Sequence, residues 1–236
     1  MPVRMFATAR SLGLALVAMA LAAPTTVAAP ISVSALSNNF STVSTGNSTV
    51  SGSTWFASGF TTGIGTSYLD LTGVNLSLAL SGTSTSAVPV VRIFSGSVNP
   101  SAVVATLSGP TITNSFPAQT FTFTPPSVPL TLSANTNYWV VLSAAAGDQF
   151  GWYTADDSPS AQNGSGFSFV SGVRSLNGGT SWSTNVLASV GAVSVQVIQP
   201  VPEPSTIMLA GIGVAGAIVV DQSRRRRFRR GRPHAS

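Results

Sequence analysis

Three carboxylates fall within ten residues of one another around three aromatic side chains. Asp148, Asp156 and Asp157 flank Phe150, Trp152 and Tyr153. Two carboxyl groups about 5 to 9.5 Å apart beside a sugar ring are the equipment of glycoside hydrolysis. The same residues also read as a carbohydrate-binding loop, as a calcium loop offering carboxylate oxygens, or, most simply, as a polar hairpin with turns at Gly147-Asp148 and Asp157-Ser158-Pro159. A ligand loop of Asp148, Trp152, Asp156 and Asp157 is therefore the candidate site of this region, and Ca²⁺ is the one cofactor it would take. Trp182 shares the ambiguity of Trp152, a stacking platform or a buried ring, while Trp139 belongs to the core. Other chemistries lack their parts. The chain has no cysteine, hence no disulfide, thiolate metal site or cysteine nucleophile. Its one histidine, His234, lies beyond an arginine block at the far end, so the many serines have no base to activate them. No catalytic residue and no metal ligand set is assigned, and the expectation is a body that is not an enzyme. The rival, a carbohydrate-active enzyme, would need Asp148 and Asp157 together.

A second stretch is chemically legible as a substrate. In Val201-Pro202-Glu203-Pro204-Ser205 the two prolines fix their own φ and push the residue before each into an extended form, which presents Glu203 on a pre-extended peptide suited to an enzyme cleft. Thr206 to Val220 follows as an uncharged apolar run. After Asp221-Gln222-Ser223 comes a block of Arg224, Arg225, Arg226, Arg227, Arg229, Arg230 and Arg232. The run is shorter than the roughly 20 residues of a full bilayer span, yet arginines directly behind it act as a stop-transfer signal and stay cytoplasmic. A soluble core helix is the plainer alternative. Gly211, Gly213 and Gly216 would weaken it by about 1 kcal/mol each, whereas in lipid they suit close helix packing. The spacing therefore predicts a transmembrane helix over 206–220.

The order Pro-Glu-Pro, apolar run, arginine cluster resembles the PEP-CTERM sorting signal of Gram-negative exported proteins, here spanning 200–232. The resemblance implies a membrane-embedded exosortase as partner, cutting near the tripeptide. At the other end, Arg4 and Arg10 precede the apolar stretch Leu12 to Ala23, and small residues lead to cleavage after Ala28 or Ala29, with Ala28 favoured because Pro30 would directly follow the other bond. Residues 1–28 thus read as a signal peptide for the Sec translocon, an uncleaved N-terminal anchor being the alternative. The expected path is an inner-membrane intermediate, then the cell surface or the medium.

Subtracting both ends changes the charge argument. The whole chain carries +5, but the body at 29–199 keeps only Arg92 and Arg174 against Asp70, Asp148, Asp156 and Asp157, a net −2, and the chain has no lysine. A nucleic-acid surface needs clustered cations, so nucleic acid is excluded as a partner. Arg92 and Arg174 are expected to pair with an aspartate or to lay their stems on apolar surface.

The body repeats a period of two. Strands are predicted over Trp55–Thr61, Leu69–Leu80 with a bulge or bend at Gly73, Pro89–Phe94, Val103–Leu107, Thr120–Thr124, Leu130–Leu132, Asn137–Ser143 at a sheet centre, Phe150–Thr154, Phe167–Val170, Gly172–Leu176 and Val190–Ile198. Ile31 to Ser53 reads as one edge strand followed by a loop. Prolines 110, 117, 125, 126 and 129 sit between strands, where they cannot break a ladder. With no amphipathic helix in the body, the pattern is all-β, an antiparallel β-sandwich of jelly-roll-like type. Trp55-Phe56-Ala57-Ser58-Gly59-Phe60-Thr61, Val90-Val91-Arg92-Ile93-Phe94-Ser95 and the run Leu132 to Ser143 are similar to choice-of-anchor domains, exported β-rich modules joined to surface-anchoring signals. That resemblance implies the fold. Export together with a surface of hydroxyls and amides instead of charges leads to the expectation of a structural or adhesive surface or biofilm-matrix protein, with exopolysaccharide as a candidate partner.

Overall fold

A computed structural model describes residues 31–199 apart from 39, 41–42, 66–67, 128, 156–157 and 184–190. The signal peptide, the sorting region and the apolar run 206–220 lie outside the described residues. The body is a compact unit, Pro30–Pro200.

Thirteen strands occur among the described residues, all paired antiparallel in two sheets. The eight-stranded sheet is built on β4 (Asp70–Leu80). One flank of β4 pairs with β7 (Gln119–Phe123) and β8 (Leu130–Thr131), the other with β13 (Val193–Gln199) and then β10 (Gln149–Ala155). Beyond β13 come β1 (Ile31–Ser37) and β11 (Ser160–Ala161), and beyond β10 comes β2 (Val43–Ser51). The five-stranded sheet runs in the order β12 (Ser168–Ser175), β3 (Trp55–Thr61), β9 (Asn137–Ala144), β5 (Pro89–Ser95), β6 (Ala102–Leu107).

Alternation explains why these segments form the two layers. Val193, Val195 and Val197 of β13 pack with Leu76, Leu78, Phe123 and Phe150 in the core cluster, together with Val91, Ile93, Val140 and Leu142 of the five-stranded sheet. Each such side chain, removed from water, stabilises the sandwich by about 1.5–3 kcal/mol before entropy is counted. Ser194 and Gln196 alternate with those valines and take the opposite face. Between Leu71 and Gly73 the ladder to β13 slips at Gln196/Val197, which sets Thr72 out of register. The expected bulge thus lies at Thr72-Gly73, and it lets Leu71 and Val74 both reach the core despite their odd spacing.

β9 is the middle strand of its sheet, as expected, and it is buried on both faces. Tyr138, Val140 and Leu142 enter the main core. Trp139 and Val141 turn the other way and are covered by Trp55, Phe94 and Trp182. Trp139 is therefore fully buried, but beneath a second apolar cluster outside the space between the sheets. Gly59 pairs with Trp139 across the strands, and a β-carbon there would stand 2.7 Å from the indole. Only glycine lets the ring lie flat on β3.

Two segments differ from the sequence reading. Ile31–Ser53 holds two strands, and the first is flanked on both sides, by β13 and β11, instead of forming a free edge. Phe167–Val170 and Gly172–Leu176 merge into β12, whose pairing with β3 slips between Phe169 and Gly172. A bulge absorbs the phase break that reads as a gap in sequence.

Candidate functional site

The acidic, aromatic stretch is divided by the fold. Asp148 closes the turn between β9 and β10, where Gly147 takes φ +88. The Asp148 backbone N–H donates to the Ala145 carbonyl at 3.1 Å, and its Oδ2 accepts from the Val88 N–H at 2.7 Å. Ala145 N–H in turn donates to the Val88 carbonyl at 3.4 Å. The carboxylate thus braces the chain entering β5 against the β9–β10 hairpin. Replacing it by alanine is expected to destabilise the body by about 1–2 kcal/mol, the range for a hydrogen bond to a charged group at a partly wet site. Asn, which keeps an acceptor, should recover part of that loss in thermal unfolding.

Trp152, paired with Asp148 in the predicted ligand loop, faces inward. It is 2% exposed and belongs to the core cluster. Its Nε1 donates to the Ala192 carbonyl at 3.0 Å, and its ring lies on Gly191, with no room for a β-carbon between them. Trp152 therefore offers no face to a sugar. The physical reason is periodicity: it is two residues from Phe150, so it shares that residue's core-facing side. From Asp148 to Ala155 the strand advances about 23 Å, at roughly 3.3 Å per residue. Asp156 and Asp157 lie beyond it, outside the described residues.

The other body carboxylate in view, Asp70, accepts from the Thr131 hydroxyl at 2.6 Å at the start of β4. Asp148 adjoins the other end of that strand, where Leu80 pairs with Phe150. Ten residues of strand keep the two acids about 30 Å apart. Among the described residues no three His, Asp or Glu side chains gather closely enough to hold a metal ion. Arg92 lies over Trp55, 5.5 Å from the ring centre, a cation–π contact in keeping with a stem laid on apolar surface. Arg174 is exposed on β12.

A concave surface lies elsewhere among the described residues, on the outer face of the eight-stranded sheet. A hollow of about 590 Å³ is walled by Ser34, Asn38, Asn75, Thr120, Gln162 and Asn163. The sequence reading missed it. Its only signal is that the outward residues of β1, β4, β7 and β13 are hydroxyls and amides.

The ends of the body converge. Ile31, which opens β1, pairs with Gln199, which closes β13. One residue, Pro200, separates that pair from Val201-Pro202-Glu203-Pro204-Ser205. Residues 200–227 match the family model described as the PEP-CTERM protein-sorting motif. The chain carries a PEP-CTERM sorting motif. The match takes in the Pro-Glu-Pro segment, the apolar run and Arg224 to Arg227, and stops short of Arg229 and Arg230. The PEP-CTERM motif marks an exported protein sorted by an exosortase, with passage through the membrane and a cell-surface or extracellular destination. No curated protein matches the chain. Among the described residues no helix is long and apolar enough to cross a membrane, and the run at 206–220 is outside them.

Proposed function

We propose that this protein is a non-enzymatic surface or extracellular-matrix module of the choice-of-anchor kind. In this reading residues 1–28 route it to the Sec translocon. The run at 206–220 then halts it in the inner membrane with Arg224–Arg232 inside, and an exosortase cuts at or near Pro202-Glu203-Pro204. The observation that carries the proposal is the PEP-CTERM motif at 200–227, starting directly where the last core strand ends. From Gln199 to Pro204 the chain can reach at most about 18 Å, so the motif follows the body with only a short connection. The nucleophile of that reaction belongs to the exosortase, and the chain contributes the substrate peptide. A body without catalysis is supported by the separation of Asp70 from Asp148, by the burial of Trp152 and by the bracing role of Asp148.

Intact-mass measurement of the protein from the medium and from the cell surface tests this. The expected species begins near Ala29 and ends near Pro204. A mature protein that still carries Arg224–Arg232 at the surface would overturn it.

A further inference from the structure

We propose that the outer face of the eight-stranded sheet is a binding groove for an uncharged polysaccharide chain. The inference rests on reading the body as an exported, non-enzymatic module and names the ligand class and the site.

Two hollows lie side by side on this face. The first, of about 590 Å³, is described above, and the second, of about 370 Å³, is walled by Ser32, Thr72, Asn75, Thr122 and Gln196. Asn75, on central strand β4, lines both, so the two form one groove across the strands. The bulge at Thr72 leaves Gly73 in the second hollow, where a side chain is absent and the groove is correspondingly open.

The lining chemistry selects the ligand. Among the described residues neither hollow is lined by a charged side chain. Both arginines of the body stand on the other sheet, on β5 and β12, so a uronate or sulfated polymer would surrender its hydration here with no cation to replace it. An apolar ligand would strip water from the hydroxyls and amides that line both hollows without replacing their hydrogen bonds. A neutral polyol matches, because each sugar hydroxyl both donates and accepts, as do the Ser, Thr, Asn and Gln groups around it. Phe40, half-buried at the first hollow, supplies one apolar surface for a ring face.

The groove is also preorganised. The hydroxyls of Ser34 and Ser194 share a hydrogen bond at 2.7 Å, and Gln196 Nε2 donates to Ser194 Oγ at 2.7 Å. Thr122 Oγ1 donates to Asn75 Oδ1 at 2.8 Å, and Ser32 and Thr72 are linked at 2.7 Å. On the rim, Asn163 Nδ2 donates to the Ser34 carbonyl at 2.8 Å. These bonds fix the rotamers before a ligand arrives, which lowers the ordering cost of binding. Among the described residues they leave the Asn75 amide NH₂, the Thr120 hydroxyl and the Gln196 side-chain carbonyl without an internal partner, all lining the groove.

The test is affinity electrophoresis of the mature protein in native gels containing dextran, laminarin or galactomannan as neutral polymers, and alginate or hyaluronate as acidic ones. At least one neutral polymer should retard migration and the acidic ones should not. Asn75→Ala and Gln196→Ala should each weaken that retardation at least tenfold in apparent Kd, with thermal unfolding confirming that both variants fold. Absence of retardation by every neutral polymer would overturn the proposal, as would stronger retardation by an acidic one or self-association without polymer. Retardation indifferent to both substitutions would remove the groove while leaving an adhesive body intact. Failure of the sorting reading would show separately, as arginine-tailed protein by mass.

Discussion

Replacing Trp152 with alanine is expected to lower the stability of the body by about 3–5 kcal/mol, the range for truncating a large buried aromatic. The ring fills the core beside Phe150 and Leu78, rests on Gly191, and is pinned through Nε1 to the Ala192 carbonyl. Lost packing should dominate over the lost hydrogen bond, because the Ala192 carbonyl also accepts from the Ser77 N–H at 3.4 Å. For a domain of this size the loss corresponds to a fall in Tm of roughly 6–20 °C. Trp152→Phe, which keeps most of the volume, should recover more than half. A sugar platform predicts the reverse pattern: an exposed Trp truncated to Ala would leave unfolding within about 0.5 kcal/mol of the parent. Denaturant midpoints of the two variants therefore separate a core residue from a ligand contact, and unchanged unfolding of Trp152→Ala would refute the placement of the ring.

The same residue shows how far the sequence can be read. Strand Phe150–Thr154 was legible, and period two already puts Trp152 on the side of Phe150. What the sequence could not decide is which side is the core, because Phe150, Trp152 and Tyr153 occupy both faces and both are buried. β4 and β13 were plain, since their valines and leucines alternate with Ser, Asn and Gln, and even the slip at Thr72-Gly73 left a trace in the spacing of Leu71 and Val74. β2 was not, because Val43–Ser51 is mostly hydroxyl and amide with a glycine inside. It is a strand by virtue of pairing with β10, a tertiary effect that outweighs weak local propensity. The groove is harder still. Ser34 and Ser194 meet across 160 residues of chain, and only the β1–β13 ladder brings them together. Outward polarity is local information, but neighbourhood between distant strands is not.

Substituting Pro202, Glu203 and Pro204 together by alanine is expected to block maturation almost completely, with more than a tenfold fall of protein in the medium and accumulation of a membrane-bound species carrying Arg224–Arg232. The motif was fully legible because all of its parts are contiguous in the chain. Two prolines remove backbone freedom around one carboxylate, and in the proposed reading the apolar run would hold the chain in lipid while the arginines fix its direction. None of these needs a partner from elsewhere in the chain. The substitution leaves untouched every strand residue, the last being Gln199 of β13, so thermal unfolding of the accumulated body should match that of the mature protein. Immunoblotting of membrane and medium fractions, with the mass of the retained species, reads the outcome. Replacing Arg224–Arg227, Arg229 and Arg230 by glutamine is the informative companion. Loss of the arginines should disturb orientation and anchoring while leaving the Pro-Glu-Pro segment intact. Release of a correctly ended protein from the triple-alanine variant would show that the cut is directed by something other than the tripeptide.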